Sequence, residues 1–307
     1  MGVLYHQLPK AELHLHLEGA IEPETLHELA PDLSPAEIEE HYRYDDFQGF
    51  LKNYEWVARR LNTPEDFALI TRRLLERLAR ENVRYAEIIL SAGVILWRNQ
   101  DLGPIYEAVR RESASSPVEV WWIFDGVRQF GVENVQSVAQ LAAERRHDGV
   151  IGLGIGGDEA RGPAQLFKDV YRYAAGTGLR LTAHAGETGG PESVWAALEL
   201  GAERIGHGIR SIEDPVLLRH LRDHDIPLEI SISSNVATGA VASLENHPVR
   251  RLYDAGVPIV LNTDDPAMFH TTLTREYELA VRVFGFTEAQ LRGIAENGFR
   301  YAFCRTR

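Results

Sequence analysis

The chain has 307 residues, of which 44% are hydrophobic and 25% are charged, a composition typical of a globular protein with a sizeable core. Its formal net charge of −13 repels phosphate backbones and acidic lipids, which makes nucleic acid and membrane surfaces poor partners. The single cysteine, Cys304, excludes an intramolecular disulfide, and the chain has no signal-peptide pattern and no long apolar span, so we expect a cytoplasmic protein.

Short apolar runs alternate along the chain with longer segments of helical periodicity. The short runs are predicted strands, at Glu12–Leu17, Val83–Leu90, Val118–Phe124, Val150–Ile155, Leu179–His184, Arg204–His207, Leu228–Ile232 and Pro258–Asn262. The longer segments are predicted helices, at Pro64–Arg80, Gly131–Arg146, Pro163–Thr177, Pro191–Leu200, Pro215–His224, Pro248–Ala255 and Glu288–Tyr301. This alternation indicates a parallel sheet, and about eight strands favour a closed barrel over an open sheet. We therefore predict an α/β protein with a single (β/α)8 TIM-barrel domain over residues 1–307 and a helical insertion after the first strand.

The segment between the first two predicted strands, residues 18–82, is too long for a simple connection from strand to helix. It is rich in large apolar and aromatic side chains, namely Tyr42, Tyr44, Phe47, Phe50, Leu51, Tyr54 and Trp56. One interpretation is an extra pair of helices that packs these side chains on the barrel. The other is a lid over the active-site end of the barrel, and the sequence leaves both open.

Several predicted strands end in side chains that bind metals, and the carboxyl ends of barrel strands converge on one mouth. His14 and His16 are two residues apart, so both point to the same face of the first strand. His184 ends the fifth strand and Asp264 follows the eighth. Each signal is ambiguous alone, since the histidine pair could face solvent and Asp265-Pro266 could begin a turn. Together, three imidazoles and one carboxylate favour zinc, with a position left for water, so we predict one zinc ion per chain.

Two further polar side chains stand beside this predicted metal site. Glu187 follows the fifth strand, where it is placed to move protons, although it could also be an acid before the helix at Pro191. His207 lies between Gly206 and Gly208, which leave its imidazole unobstructed and favour a functional role. Eight other histidines lack comparable partners, and we expect most of them to be solvated or satisfied locally: His6, His27, His41, His147, His220, His224, His247 and His270.

With these residues in place, the sequence resembles the adenosine deaminase family of the amidohydrolase superfamily. The matching segments occur in family order, at Lys10–Gly19, Gly156–Glu159, His184–Glu187, Arg204–Gly208, Ser233–Asn235 with Thr238–Gly239, and Asn262–Pro266. Each match is weak alone, whereas the ordered set across nearly the whole chain is specific. The resemblance implies zinc-dependent hydrolysis of the 6-amino group of an adenine-containing nucleoside, which yields a 6-oxopurine and ammonia.

The resemblance also implies a role for each matching position. The metal ligands would be His14, His16, His184 and Asp264. Glu187 would donate a proton to purine N1, which makes C6 more electrophilic, and this requires a carboxyl that is protonated near neutral pH. His207 would orient the metal-bound hydroxide, and Asp265 would contact the hydroxide or purine N7. In the family pattern Gly157 would offer its backbone N–H to the purine, and Glu18 stands where adenosine deaminases place an aspartate that contacts the ribose.

Two departures from the adenosine pattern concern the substrate. Glu18 is longer than the usual aspartate, which is more typical of relatives that act on free adenine or modified nucleosides. Ser234-Asn235 resembles the adenine deaminase branch, whereas Thr238-Gly239-Ala240 resembles the nucleoside branch. This mixture is similar to aminodeoxyfutalosine deaminases of the menaquinone route, whose substrate carries a benzoate. A basic residue near the mouth would support that substrate, and the candidates are Arg98, Arg128 and Arg210.

Three alternatives remain open at this point: a free adenine deaminase, another amidohydrolase reaction, and a barrel that binds without catalysis. A bridging lysine at a strand end would favour another amidohydrolase reaction, but the lysines are Lys10, Lys52 and Lys168, none of which is so placed. A binding protein has no need to keep Glu187 beside a full set of metal ligands, so the intact set favours an enzyme.

Overall fold

The computed structural model describes residues 4–304. Its core is a sheet of eight parallel strands, and helices surround this sheet. The strands are β1 (Lys10–His16), β2 (Val83–Leu90), β3 (Glu119–Val127), β4 (Val150–Gly156), β5 (Arg180–Ala185), β6 (Arg204–His207), β7 (Leu228–Ile230) and β8 (Ile259–Leu261). They are hydrogen-bonded in the order β1 to β8, and every pair is parallel. Beyond β8, Asp264 N donates to His14 O at 3.0 Å and His16 N donates to Asp264 O at 2.8 Å, which joins the last strand to the first. The predicted (β/α)8 TIM barrel is confirmed.

Fifteen α-helices accompany these strands within the described residues. They are α1 (Leu4–Gln7), α2 (Pro23–Leu29), α3 (Pro35–Glu40), α4 (Phe47–Ala58), α5 (Pro64–Arg80), α6 (Ala92–Trp97), α7 (Leu102–Ala114), α8 (Val132–Glu144), α9 (Lys168–Gly176), α10 (Pro191–Glu199), α11 (Pro215–Asp223), α12 (Ile232–Ala237), α13 (Val249–Asp254), α14 (Leu273–Arg282) and α15 (Glu288–Arg300). Short 3-10 turns lie at Glu18–Ala20, Arg128–Phe130, Arg146–Asp148, Ala164–Phe167, Ile209–Glu213 and Leu244–Asn246. None of the described helices combines the length and apolar character needed to cross a bilayer.

Local end signals explain why some element boundaries could be predicted and others could not. Helix α5 spans the predicted residues because Thr63 accepts a hydrogen bond from Asp66 N, the Asp66 side chain caps Thr63 in return, and Pro64 opens the first turn. The prediction that the seventh strand runs to Ile232 is wrong. Ile232 begins α12 instead, because the buried carboxylate of Glu276 accepts the free N–H groups of Ile232 and Ser233 at 2.8 and 3.2 Å.

The insertion after β1 contains the helices α2, α3 and α4 before α5, which is one more than the predicted extra pair. Tyr44 at its centre donates to Met268 O at 2.7 Å, and the ring of Phe50 packs 5.0 Å from that of Phe269, so α4 is held against the loop after β8. These contacts bring α4 to the mouth of the barrel. The lid over residues 18–82 and the single domain over 1–307, of which residues 1–3 and 305–307 lie outside the described residues, stay predictions.

Candidate active site

Four metal-binding side chains converge at the carboxyl ends of β1, β5 and β8. Their ligand atoms, from His14, His16, His184 and Asp264, all lie within 4.8 Å of one another and all four residues are buried. Asp264 Oδ1 lies 3.3 Å from His14 Nε2 and 3.4 Å from His16 Nε2, and the Nε2 atoms of His16 and His184 are 3.1 Å apart. The structure therefore brings together the four ligands that the sequence predicted.

The hydrogen bonds behind these imidazoles suit metal binding. His184 Nδ1 lies 3.1 Å from Ile155 O, and since a carbonyl only accepts, the ring proton is on Nδ1 and the lone pair of Nε2 faces the centre. His14 Nδ1 lies 2.8 Å from a Glu229 carboxylate oxygen, which holds its proton in the same way, while its buried Nε2 makes no hydrogen bond. Burial lowers the pKa of His16 to about 3, so that ring stays neutral. Imidazole nitrogens and a carboxylate oxygen that face one another in this way fit a bound cation, and three nitrogens with one oxygen match zinc.

A buried charge network supports His14 from inside the barrel, and the sequence reasoning missed it. Arg204 on β6 lies between two acids. Its Nε is 2.6 Å from Glu229 Oε1 on β7, and its Nη2 is 2.5 Å from Glu87 Oε2 on β2. All three residues are essentially inaccessible to solvent. The ring of Phe303 covers the guanidinium, its centroid 3.5 Å away. The sequence did contain a signal for this network, because an acid lies within the apolar run of β2 and another within that of β7. An unpaired buried charge is strongly unfavourable, so each acid requires a buried partner.

Glu187 lies beside the metal ligands in a form suited to donating a proton. Burial raises the pKa of this carboxyl well above its usual range, and the nearby carboxylates of Asp264 and Glu159 raise it further. Thr238 Oγ1 donates to Glu187 Oε1 at 3.4 Å. This direction of the pKa shift favours the protonated carboxyl, which is the form that a general acid needs.

The backbone of the Glu187 loop is held by Glu159, from the Gly156–Glu159 segment. The Glu159 carboxylate accepts hydrogen bonds from four consecutive amides, those of Gly186, Glu187, Thr188 and Gly189, at 2.8 to 3.1 Å. Ser193 Oγ donates to the same carboxylate. Burial alone would raise the pKa of Glu159, but these donors together with the Arg128 charge lower it, so it stays ionised. The loop that carries Glu187 is therefore anchored to a buried negative charge.

His207 and Asp264 share an unusual backbone conformation. Their φ angles are +62° and +66°, in the left-handed region that non-glycine residues rarely adopt. Such strain persists where the surrounding structure holds it, and it concentrates at functional sites. A Cβ built at Gly206 would lie 2.7 Å from His14 Cε1, so the absence of a side chain there leaves room for that imidazole. His207 Nε2 lies 3.7 Å from Glu187 Oε2 and 3.9 Å from Asp264 Oδ2.

Two of the three predicted substrate-binding residues line the cavity, and the third lies behind its wall. Asp265 lines the cavity, and a Cβ at Gly19 would lie 1.7 Å from its Oδ1, so only glycine fits there. Gly157 also lines the cavity, with φ +89°. Glu18 is buried behind the wall instead, where it accepts from Ser91 N at 3.1 Å and from the Tyr54 hydroxyl at 3.3 Å. Burial raises the pKa of Glu18 to about 7.

A cavity of about 420 Å³ opens from the metal ligands towards α4. Its lining includes His16, His184, His207 and Asp264 together with Phe47, Lys52, Phe130 and Arg161. Lys52 and Arg161 are exposed and carry positive charge, whereas Phe47 and Phe130 are half-buried. Volumes of about 300–1,000 Å³ are typical of pockets that enclose a whole small molecule.

The three arginines predicted as candidates for the cavity mouth do not line the cavity, and each has another partner. Arg128 is buried and donates to Gly162 O at 2.8 Å and to His184 O. Arg98 donates to Ala58 O at 2.8 Å, and Arg210 pairs with Glu213 at 2.9 Å. The lining cations are Lys52 and Arg161 instead, which sequence reasoning missed because nothing local distinguishes them from other surface residues.

A parallel eight-stranded barrel with three imidazoles, one carboxylate and a buried acid of raised pKa at its mouth defines a metal-dependent hydrolase. The family model for adenosine deaminase matches residues 9–307. This chain belongs to the adenosine deaminase family, and it is a hydrolytic deaminase.

Individual relatives agree with this assignment. The chain is 40% identical to an aminodeoxyfutalosine deaminase of Streptomyces avermitilis over 310 aligned residues, which cover 96% of this chain and 87% of that protein. Its structure is similar to that of an adenine deaminase from Arthrobacter aurescens, with a TM-score of 0.91 and 32% identity over 96% and 94% of the two chains. An amidohydrolase from Burkholderia ambifaria with bound Zn matches with a TM-score of 0.91 and 29% identity over 98% and 87% of the two chains.

Proposed function

We propose that this enzyme deaminates the adenine base of a nucleoside that carries an aromatic carboxylate, of which aminodeoxyfutalosine is the example. The observation that carries the proposal is the composition of the cavity mouth. Lys52 and Arg161 offer positive charge, and Phe47 and Phe130 offer apolar ring surface, beyond the space that a purine needs at the metal ligands. The identity to the Streptomyces aminodeoxyfutalosine deaminase supports the same substrate.

One zinc ion per chain, held by His14, His16, His184 and Asp264, is part of this proposal. The bound zinc in the Burkholderia amidohydrolase and the matching donor set support zinc over other metals. When bound, zinc supplies Lewis acidity that makes a water molecule nucleophilic near neutral pH.

The protein side chains supply the remaining steps. Glu187, protonated because it is buried, donates its proton to purine N1 and makes C6 electrophilic. Water gives its oxygen to C6 and one proton to the amino group, which leaves as ammonia. Its second proton returns to Glu187, and the 6-oxopurine keeps the proton on N1. Asp265 stays near the reacting face, where it contacts purine N7 or the attacking water, and His207 orients that water. The Gly157 N–H binds the purine edge, and Glu18 acts on the sugar side through Tyr54 and Ser91.

Ammonia release from zinc-loaded protein tests the proposal, with aminodeoxyfutalosine, adenosine and adenine supplied in parallel. We expect the highest kcat/KM with aminodeoxyfutalosine and loss of turnover in Glu187→Gln, whose amide cannot donate an acidic proton. No ammonia from any of the three substrates at full zinc occupancy would refute the deaminase chemistry proposed here.

The cations at the mouth are tested by substitution. Lys52→Met and Arg161→Met should each lower kcat/KM for aminodeoxyfutalosine by about 1.4- to 5-fold, since an exposed ion pair contributes about 0.2–1 kcal/mol. Turnover of adenine should not change. Lys168→Met is the matched control, because Lys168 is exposed on α9 and does not line the cavity. Equal losses for both substrates would contradict recognition of a carboxylate at this place.

Free adenine is the second candidate substrate, supported by the likeness to the Arthrobacter adenine deaminase and by Glu18 in place of aspartate. Free adenine would not reach the cavity mouth, so substitution of Lys52 or Arg161 would not change the rate at which adenine is deaminated. A kcat/KM for adenine above that for both nucleosides would select this candidate.

The proposal also covers the insertion after β1, the cellular location and the partners of the enzyme. Residues 18–82 act as a lid, supported by the side chains that α4 contributes to the cavity wall. Slower amide exchange over α4 in the presence of a purine nucleoside would support the lid, and unchanged exchange would refute it. A cytoplasmic location and a small-molecule partner, without nucleic acid or membrane, are supported by the single cysteine and the net charge of −13.

A further inference from the structure

Three buried polar side chains form a continuous hydrogen-bonded line that ends at His207. His247, which was expected to be solvated or satisfied locally, is only 4% exposed, and Asn235 is fully buried. Val249 N donates to His247 Nδ1 at 3.1 Å, His247 Nε2 lies 3.2 Å from Asn235 Oδ1, and Asn235 Nδ2 lies 3.0 Å from His207 Nδ1. The line therefore runs from the first turn of α13 to the active site.

The direction of every hydrogen bond in this line follows from its first member. A backbone N–H can only donate, so His247 Nδ1 accepts, and the single proton of the neutral ring is on Nε2. Burial lowers the pKa of His247 to about 3, which keeps that ring neutral. His247 Nε2–H then donates to the amide oxygen of Asn235, so the NH2 group of Asn235 is the end that faces His207. His207 Nδ1 must accept, and its own proton is on Nε2.

We propose that His247 is a positioning residue that, through Asn235, makes His207 a hydrogen-bond donor at Nε2 towards the active site. The proposal rests on the proposed function for its catalytic consequence. The Nε2–H of His207 faces a space bordered by Glu187 Oε2 at 3.7 Å and Asp264 Oδ2 at 3.9 Å, where the attacking water and the substrate would lie. The opposite tautomer would present a lone pair to the Asp264 carboxylate and to the imidazoles of the metal ligands. His207 thus donates to the reacting oxygen and does not take a proton from it.

Nitrogen NMR of the zinc-loaded protein with ¹⁵N-labelled histidine measures the tautomer directly, and a His207→Gln spectrum identifies the His207 signals. We expect Nε2–H in the wild-type protein. His247→Gln should preserve it, because the glutamine NH2 can donate to Asn235 Oδ1 in place of Nε2–H. His247→Leu removes the donor and frees the Asn235 amide to turn, so His207 should shift to Nδ1–H or to a mixture of tautomers.

Kinetics provide the second measurement. Groups that orient an active-site imidazole typically affect activity by about 10- to 100-fold, so kcat should fall by that factor in His247→Leu with little change in KM and recover in His247→Gln. Should His247→Leu fail to fold, Asn235→Asp replaces it, since a carboxylate there accepts from His207 Nδ1–H and forces the opposite tautomer. Nδ1–H in the wild-type protein, or Nε2–H retained in the variant that lacks the donor, would overturn the proposal. The tautomer is read without substrate, so absence of deamination would refute the proposed function and leave this inference intact.

Discussion

Replacing Glu159 with glutamine should loosen the loop that carries Glu187. Glu159 Oε1 accepts three amides at 2.9 to 3.1 Å, and Oε2 accepts Gly186 N at 2.8 Å together with the Ser193 hydroxyl. A glutamine has one carbonyl oxygen, so its NH2 group must face one of these two sets. The smallest loss leaves Gly186 N–H unpaired and removes the charge that strengthens the other three bonds. Since a hydrogen bond to a buried charge contributes about 1.5–3 kcal/mol, we expect the free energy of unfolding to fall by about 2–4 kcal/mol.

Urea unfolding and steady-state kinetics with the best substrate measure the two consequences. Small misplacement of a catalytic group can lower the rate by about 10²-fold, so kcat of Glu159→Gln should fall between 10- and 100-fold. Glu192→Gln is the matched control, because Glu192 lies near the same loop, is exposed, and accepts a single hydrogen bond from Gly190 N at 3.2 Å. Stability within about 0.5 kcal/mol of wild type, together with unchanged kcat, would show that the carboxylate does not anchor the loop.

Three other expectations concern the metal, the pH dependence of stability and the purine pocket. Glu229→Gln keeps an acceptor for His14 Nδ1 but leaves Arg204 with one carboxylate, so zinc affinity measured by chelator competition should fall by about 10- to 100-fold, and an unchanged Kd would contradict this. Burial raises the pKa of Glu12 to about 8 from 4.5, so the folded protein keeps a proton that the unfolded chain releases. This group therefore lowers the free energy of unfolding as pH rises from about 4.5 to about 8, by at most about 1.4 kcal/mol per pH unit, and Glu12→Gln should remove that slope in urea titrations. Parallel curves for variant and wild type would refute it. Gly157→Ala places a Cβ 2.3 Å from Gln129 Oε1 at a φ of +89°, so KM should rise more than kcat falls, whereas an unchanged KM would argue against purine binding at Gly157.

The barrel could be predicted because its signals are local. Val83–Leu90 and Arg204–His207 are strands over the predicted residues, since their apolar runs are bounded by helical periodicity or by glycine. The seventh strand was predicted too long because Ile230 and Ile232 alternate with serines, a pattern that fits a strand as well as it fits the start of a helix. Only the carboxylate of Glu276, 44 residues later, provides the acceptor that starts a helix there.

The identity of the metal ligands was likewise available from the chain alone. A two-residue period puts His14 and His16 on one face of β1, and the barrel topology brings the ends of β5 and β8 to the same mouth. The partners that give these ligands their protonation could not be predicted. Glu229, which holds the proton of His14, is 215 residues away in sequence, and acidic residues in short apolar strands have many possible partners.

The sequence by itself thus determined the order of the strands, the residue types at their carboxyl ends and the family to which the chain belongs. The tertiary structure decided which carboxyls are buried and so have a raised pKa, which nitrogen of each imidazole faces the site, and which cations reach the cavity mouth. The physical reason is that periodicity and turn signals act between neighbours in the chain. Burial and hydrogen-bond partners, which raise the pKa of Glu187 and orient the imidazoles of His14, His184 and His207, depend on groups that meet only when the barrel closes.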